Sequence, residues 1–235
     1  MPGKKSFVKL HSYSLTKRTT MKRTILHLAL LMQFSITLTF NSYGQNKTGT
    51  GPFIYSEIGV ATAKIPTFKV TVNAIFNRND FISLGYYYNW RPATQLPADF
   101  DPGFDWGRKN ELPVKTSSMC GIMYGKVIFT KSRFVRYVLK GGISIGTVTF
   151  PSGFKEATVT HSWGLWRGDH WSSNYTWYDE KKIVAGLIVN PTIEFPLTRG
   201  LGISAGLYGN LVPLASTAGI DVSIIFGRVR GRKQK

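Results

Sequence analysis

Apolar and polar residues alternate with a period of two through most of the chain after Gln45, the spacing that sends successive side chains to opposite faces of a β-strand. In the clearest run, Phe68, Val70, Val72, Ala74 and Phe76 alternate with Lys69, Thr71, Asn73 and Ile75. Next, Ile82, Leu84, Tyr86, Tyr88 and Trp90 alternate with Ser83, Gly85, Tyr87 and Asn89. Residues 135–147, 201–208 and 220–226 repeat the pattern, and three further segments, about 53–64, 114–129 and 182–195, do so less cleanly. Eight strands are predicted, with no helix among them.

A soluble sandwich and a barrel in lipid both show such alternation, with opposite faces turned to the core. Three features favour the barrel. The polar face is rich in Gly and Ser, which a narrow interior needs. The segments run near the 9–11 residues that cross a bilayer at a tilt. The connections also sort by length: tight turns at 77–80, 131–133 and 196–200 join strands two to three, four to five and six to seven. Longer connections at about 63–67, 91–112, 151–181 and 211–217 join the others. All the turns then lie on one rim and all the loops on the other, as in an outer-membrane barrel. The predicted fold is all-β, an eight-stranded antiparallel up-and-down transmembrane β-barrel over 51–230. Tyr86, Tyr88 and Trp90 fall at its loop-side end and Phe129 and Phe195 at its turn-side end, where interfacial aromatics concentrate.

The N-terminal region reads as a targeting segment. Lys22 and Arg23 precede an apolar stretch from Ile25 to Phe40, and Ser42-Tyr43-Gly44 offers a small-residue cleavage site before Gln45. The apolar stretch is shorter than the roughly 20 residues a spanning helix needs. The expected division is an extension at 1–20 with translation starting at Met21, a signal peptide at 21–44, a linker at 45–50, the barrel at 51–230 and a basic tail at 231–235.

Charge changes the picture little. The net charge is +18 from 30 basic and 12 acidic residues. Seven of the basic residues lie in the first 44 positions, and much of the remainder sits in short turns and the C-terminal tail. Nucleic-acid binding domains cluster such charge on one face, so no nucleic-acid partner is expected. Cys120 is the single cysteine, which excludes an intramolecular disulfide and a cysteine-based metal centre. No cofactor is expected.

The Tyr43-Gly44-Gln45 signal ending, the Ile82-Ser83-Leu84-Gly85-Tyr86-Tyr87 strand, Gly141-Gly142-Ile143-Ser144 and the final Ile224-Ile225-Phe226-Gly227-Arg228-Val229-Arg230 together resemble the outer membrane β-barrel domain family common in Bacteroidota. The chain departs from many such barrels by running on past its last strand through Gly231-Arg232-Lys233-Gln234-Lys235. The resemblance implies a location and a fold, and the family carries no single activity.

Two places could carry function. Eight strands enclose a lumen that side chains nearly fill, and the alternation turns Lys126, Arg136, Lys140, Glu194 and Asp221 inward. Lys126, Arg136 and Glu194 fall at similar depth on adjacent strands, which predicts an Arg136–Glu194 pair with Lys126 beside it, since buried charges need partners. The second place is the long connection 151–181. Its Trp163, Trp166, His170, Trp171, Tyr175 and Trp177 combine flat rings with polar groups, suited to a surface glycan or a protein ligand, or to packing on each other in a hairpin that rests on lipopolysaccharide. Two other classes compete with a structural or surface-binding role. His170-Trp171-Ser172, with Asp179 or Glu180, spells the His-x-Ser pair of outer-membrane lipid A hydrolases, though in a loop and not on a strand. A soluble lipocalin-like periplasmic carrier would want an apolar cavity, whereas the inward face here is Gly, Ser, Asn and Lys. The expected protein is a non-catalytic barrel whose partners are outer-membrane lipids and lipopolysaccharide.

Overall fold

The computed structural model describes residues 53–62, 66–76, 79–105, 108–109, 112–130, 135–164 and 168–227, and for 104–105, 108–109, 162–164 and 168–171 the course of the backbone. The predicted extension, signal peptide, linker, basic tail and Trp166 lie outside these residues.

Thirteen strands are present among the described residues: β1 (Phe53–Thr62), β2 (Thr67–Phe76), β3 (Asp80–Pro92), β4 (Phe104–Asp105), β5 (Arg108–Lys109), β6 (Val114–Phe129), β7 (Arg136–Glu156), β8 (His161–Gly164), β9 (Gly168–Trp171), β10 (Tyr175–Val189), β11 (Thr192–Pro196), β12 (Leu201–Leu211) and β13 (Thr217–Gly227). Nine of them form one antiparallel ring, in which β12 pairs with β13 and β13 with β1, so no edge is left open. Closure of this kind removes the unpaired edge that an open sheet exposes.

The ring is an eight-stranded barrel because β10 and β11 are one strand with a gap in its ladder. Val189 pairs with Gly141 and Thr192 with Val138, so the register against β7 is unbroken. Pro191 has no N–H to donate, which opens the ladder locally. Its carbonyl still accepts from the Leu207 amide at 2.9 Å, and the Asn190 amide donates to the Lys140 carbonyl at 2.9 Å.

The burial pattern has the inverted sense. Leu84, Ile143, Ile183, Leu207 and Ile220 face outward, with Ile183 78% exposed. Glu57, Lys69, Glu194 and Asp221 face inward and are fully buried. The outward apolar run from Leu201 to Leu211 spans about 25 Å at roughly 3.3 Å per residue and a tilt near 40°, the height of a hydrocarbon band. Exposed Phe68 and Trp90 stack outside the loop-side rim at 5.5 Å, and exposed Tyr124, Phe129 and Tyr137 lie toward the turn-side rim.

The connections differ from expectation in two ways. β1 and β2 are joined across 63–66 alone, so this loop-side connection is no longer than the turn at 197–200. The contrast between the rims rests on 93–113 and 157–174. The expected loop 151–181 is largely strand: β7 and β10 continue as a hairpin to the Glu156–Tyr175 pair, with a bulge between Thr176 and Tyr178.

Candidate functional site

The lumen contains a charge network that packing arranges in layers. Along β1 the inward residues are Tyr55, Glu57, Gly59 and Ala61. Tyr55 belongs to an apolar cluster with Ile75, Phe81, Val127, Val138 and Ile225. Ala61 belongs to a second cluster with Tyr87, Met119, Met123, Ile188, Tyr208 and Val212. Along β1, Glu57 stands between Tyr55 of the first cluster and Ala61 of the second.

Glu57 accepts from Lys69 at 3.1 Å and from Lys140 at 3.2 Å. Lys69 also donates to Asp221 and to Asn190 Oδ1, the latter at 3.2 Å. Asn190 Nδ2 donates to Asp221 at 3.0 Å and to the Leu207 carbonyl at 2.7 Å. A second centre pairs Arg136 Nε with Glu194, whose other oxygen accepts from Tyr55 Oη at 2.8 Å. The Arg136 guanidinium lies 4.8 Å from the Tyr55 ring centroid and the Lys140 ammonium 5.2 Å from that of Phe81, within cation–π range. Three buried cations thus meet three buried carboxylates. A neutral, bonded set is the form in which charges survive burial. Glycine makes room for the rings beside it: a Cβ on Gly85 would fall 2.5 Å from Tyr87 Oη, and one on Gly121 would fall 3.3 Å from Tyr87 Cε2.

Arg136 and Glu194 meet in the lumen; Lys126 does not join them. In β6 the inward positions are Met119, Gly121, Met123 and Val127, so Lys126 shares the outward phase of Ile122 and Tyr124. Its ammonium bonds Asp80, its side chain 60% exposed. The error came from a segment where Gly121 and Gly125 blur the alternation. Sequence reasoning also missed Glu57 and Lys69. Lys69 had a clear signal, lying between outward Phe68 and Val70 in the cleanest strand, whereas Glu57 sits in a poorly alternating one.

On the loop side, the two long connections fold together. β4 pairs with both β5 and β9, and β9 with β8, giving a four-stranded sheet that joins 93–113 to 157–174. Asn174 fastens the joint: its Oδ1 accepts from the Asp101 amide at 2.7 Å and its Nδ2 donates to the Asp99 carbonyl at 2.7 Å. Tyr175 Oη donates to Asp99 Oδ1 at 2.8 Å, which pushes the Tyr175 phenol above its ordinary value because the neutral form is the donor. Phe100 packs on Phe154, Tyr175 and Trp177 with centroids 5.9–6.1 Å apart. Tyr175 and Trp177 therefore pack internally, holding the outer cap in place. His161 pairs with Trp171 and Trp163 with Asp169 through the backbones of β8 and β9, which places Trp163, His170 and Trp171 in the cap. Ser172 Oγ is bonded to the Thr160 amide and hydroxyl at 3.1 and 3.2 Å.

No family model matches the chain, and no curated protein matches it. Among solved structures it is similar to the N-terminal β-barrel domain of Pseudomonas aeruginosa OprF, with 8% identity and a TM-score of 0.45 over 76% of this chain and 98% of that one. It is also similar to the Yersinia pestis outer membrane protein Ail in a nanodisc, with 12% identity and a TM-score of 0.42 over 75% and 99%. A crystal structure of Ail gives 10% and 0.40 over 74% and 93%. The barrel assignment rests on the closed ring of pairings in this chain.

Proposed function

We propose that the protein resides in an outer membrane of the Gram-negative kind as a closed, non-catalytic barrel, of the small type the Bacteroidota resemblance implies, with a folded cap that recognises surface ligands. The inversion of burial supports this most strongly. Burying an apolar band of this size against lipid recovers the roughly 25 cal/mol per Å² that water contact would forfeit. A lipocalin-like carrier needs an apolar cavity, and here that space holds Glu57, Lys69, Lys140 and Asp221. In the cap, Trp163, His170 and Trp171 are the candidate contacts for a glycan or a partner protein, with Trp166 the fourth candidate. Tyr175 and Trp177 hold the cap in position.

Fractionation of native cells tests the location, followed by gel mobility with and without boiling. Protein in the outer-membrane fraction whose band shifts on heating is the expected outcome. Recovery in the soluble periplasm would overturn the reading.

A further inference from the structure

Just above the neutral lumen, the loop-side mouth carries an excess of positive charge. Arg91 on β3 lies directly opposite Lys115 on β6. The phase of β3 turns Arg91 inward, since its neighbour Trp90 stacks outside on Phe68. Lys115 shares the inward phase of Ser117 and Met119. Like charges directly opposite on paired strands repel. No carboxylate bonds either one among the described residues: Arg91 donates to the Leu214 carbonyl at 3.3 Å, and Lys115 sits 5.8 Å from the Phe150 ring centroid. On the next strand, Lys182 lies 5.2 Å from the same centroid and bonds Glu180 at 3.1 Å. Glu180 pairs across the ladder with Phe150. Among the described residues, three cations thus share one carboxylate, whereas the lumen beneath matches three with three. The Lys182 side chain is 50% exposed, so the site is open to an incoming group.

We propose that this mouth is a binding site for a phosphorylated saccharide or a phosphomonoester headgroup, held by Arg91, Lys115 and Lys182. A phosphate accepts hydrogen bonds from both sides of the Arg91–Lys115 pair and relieves their repulsion. Lys115 and Lys182, both over the Phe150 ring, lie within about 11 Å of each other, close enough for one bisphosphorylated sugar to bridge. The site is distinct from the aromatic cap residues and depends on the membrane reading only for the source of its phosphate.

The test uses the full-length barrel refolded in nanodiscs of zwitterionic lipid, titrated with fructose 1,6-bisphosphate by calorimetry. Saturable binding is expected, weakened at least tenfold by Lys115→Met and by Lys182→Met. Lys181→Met, the adjacent lysine of the outward phase, is expected to bind as the parent does. Heat-shifted gel mobility of each variant establishes that the barrel is intact. Nanodiscs containing phosphatidic acid separate the two sources: competition with the sugar identifies the headgroup, and its absence identifies the soluble saccharide. No binding by the intact parent, or equal loss in Lys181→Met and Lys115→Met, overturns the proposal. Failure here leaves the fractionation result untouched, so the two readings fall separately.

Discussion

Glu57 is the hub of the lumen, and its replacement by Gln tests whether the charge network is held by balance. Glu57 lies 3.1 Å from Lys69 and 3.2 Å from Lys140. At an effective dielectric near 20, each contact is about 5 kcal/mol of gross attraction, most of it offset by the cost of burial. The two lysines do not lose equally in Glu57→Gln. Lys69 keeps Asp221 and Asn190, whereas Lys140 is left with the Phe81 ring and the unbonded attraction of Glu194, which already pairs with Arg136. One buried cation is therefore uncompensated, and breaking a buried pair in this way costs about 3–5 kcal/mol. Gln still accepts one hydrogen bond, which places the expectation near 3 kcal/mol. Urea unfolding of the barrel refolded in vesicles, followed by tryptophan fluorescence, reads this as a lower midpoint at unchanged slope. The double variant Glu57→Gln, Lys140→Met restores two cations against two carboxylates and puts an apolar chain beside Phe81. It is expected to recover more than half of the loss. A cost below 1 kcal/mol for Glu57→Gln, or a double variant as unstable as the sum of the single changes, would refute charge balance as the organising force.

Other consequences follow from single contacts. Tyr55→Phe removes a buried hydrogen bond to the Glu194 carboxylate and is expected to destabilise the barrel by about 1.5–3 kcal/mol in the same urea assay. Gly85→Ala drives a methyl into Tyr87 at a cost of about 1–3 kcal/mol; Gly85→Ala with Tyr87→Leu should lose less than the two changes added. The Tyr175–Asp99 bond lies in the hairpin outside the apolar band. Because the Tyr175 pKa is raised, its contribution is fully present below about pH 10 and is lost as pH rises through the raised value. The ultraviolet difference between the parent and Tyr175→Phe should therefore titrate above pH 10. Asn174→Ala unfastens 93–113 from the hairpin and should speed protease cleavage in 93–113 while leaving the heat-shifted band in place.

Period-two alternation decided strand phase wherever one face is continuously apolar, as at Phe68–Phe76 and Ile82–Trp90. Such strands show the inverted burial and the inward position of Arg136, Lys140 and Asp221, and even the weaker segment 182–195 places Glu194 inward. Side-chain direction along a strand is a local property, so local residues suffice. Phase failed for Lys126, where glycines interrupt the count, and length failed for 151–181, where the strands run on past the bilayer into a hairpin fastened by Asn174. Pairing was legible for Arg136 and Glu194, which share a depth on neighbouring strands, and out of reach for the other partners. Tyr55 meets Glu194 across 139 positions, and Lys69 meets Asp221 across 152. Those partners are chosen by the register of each ladder and the stagger with which β13 closes on β1 and β12. Beyond the Arg136–Glu194 pair, tertiary structure alone decided which charges neutralise one another and which, at the mouth, are left in excess, because closure is a property of the whole ring and no single strand encodes it.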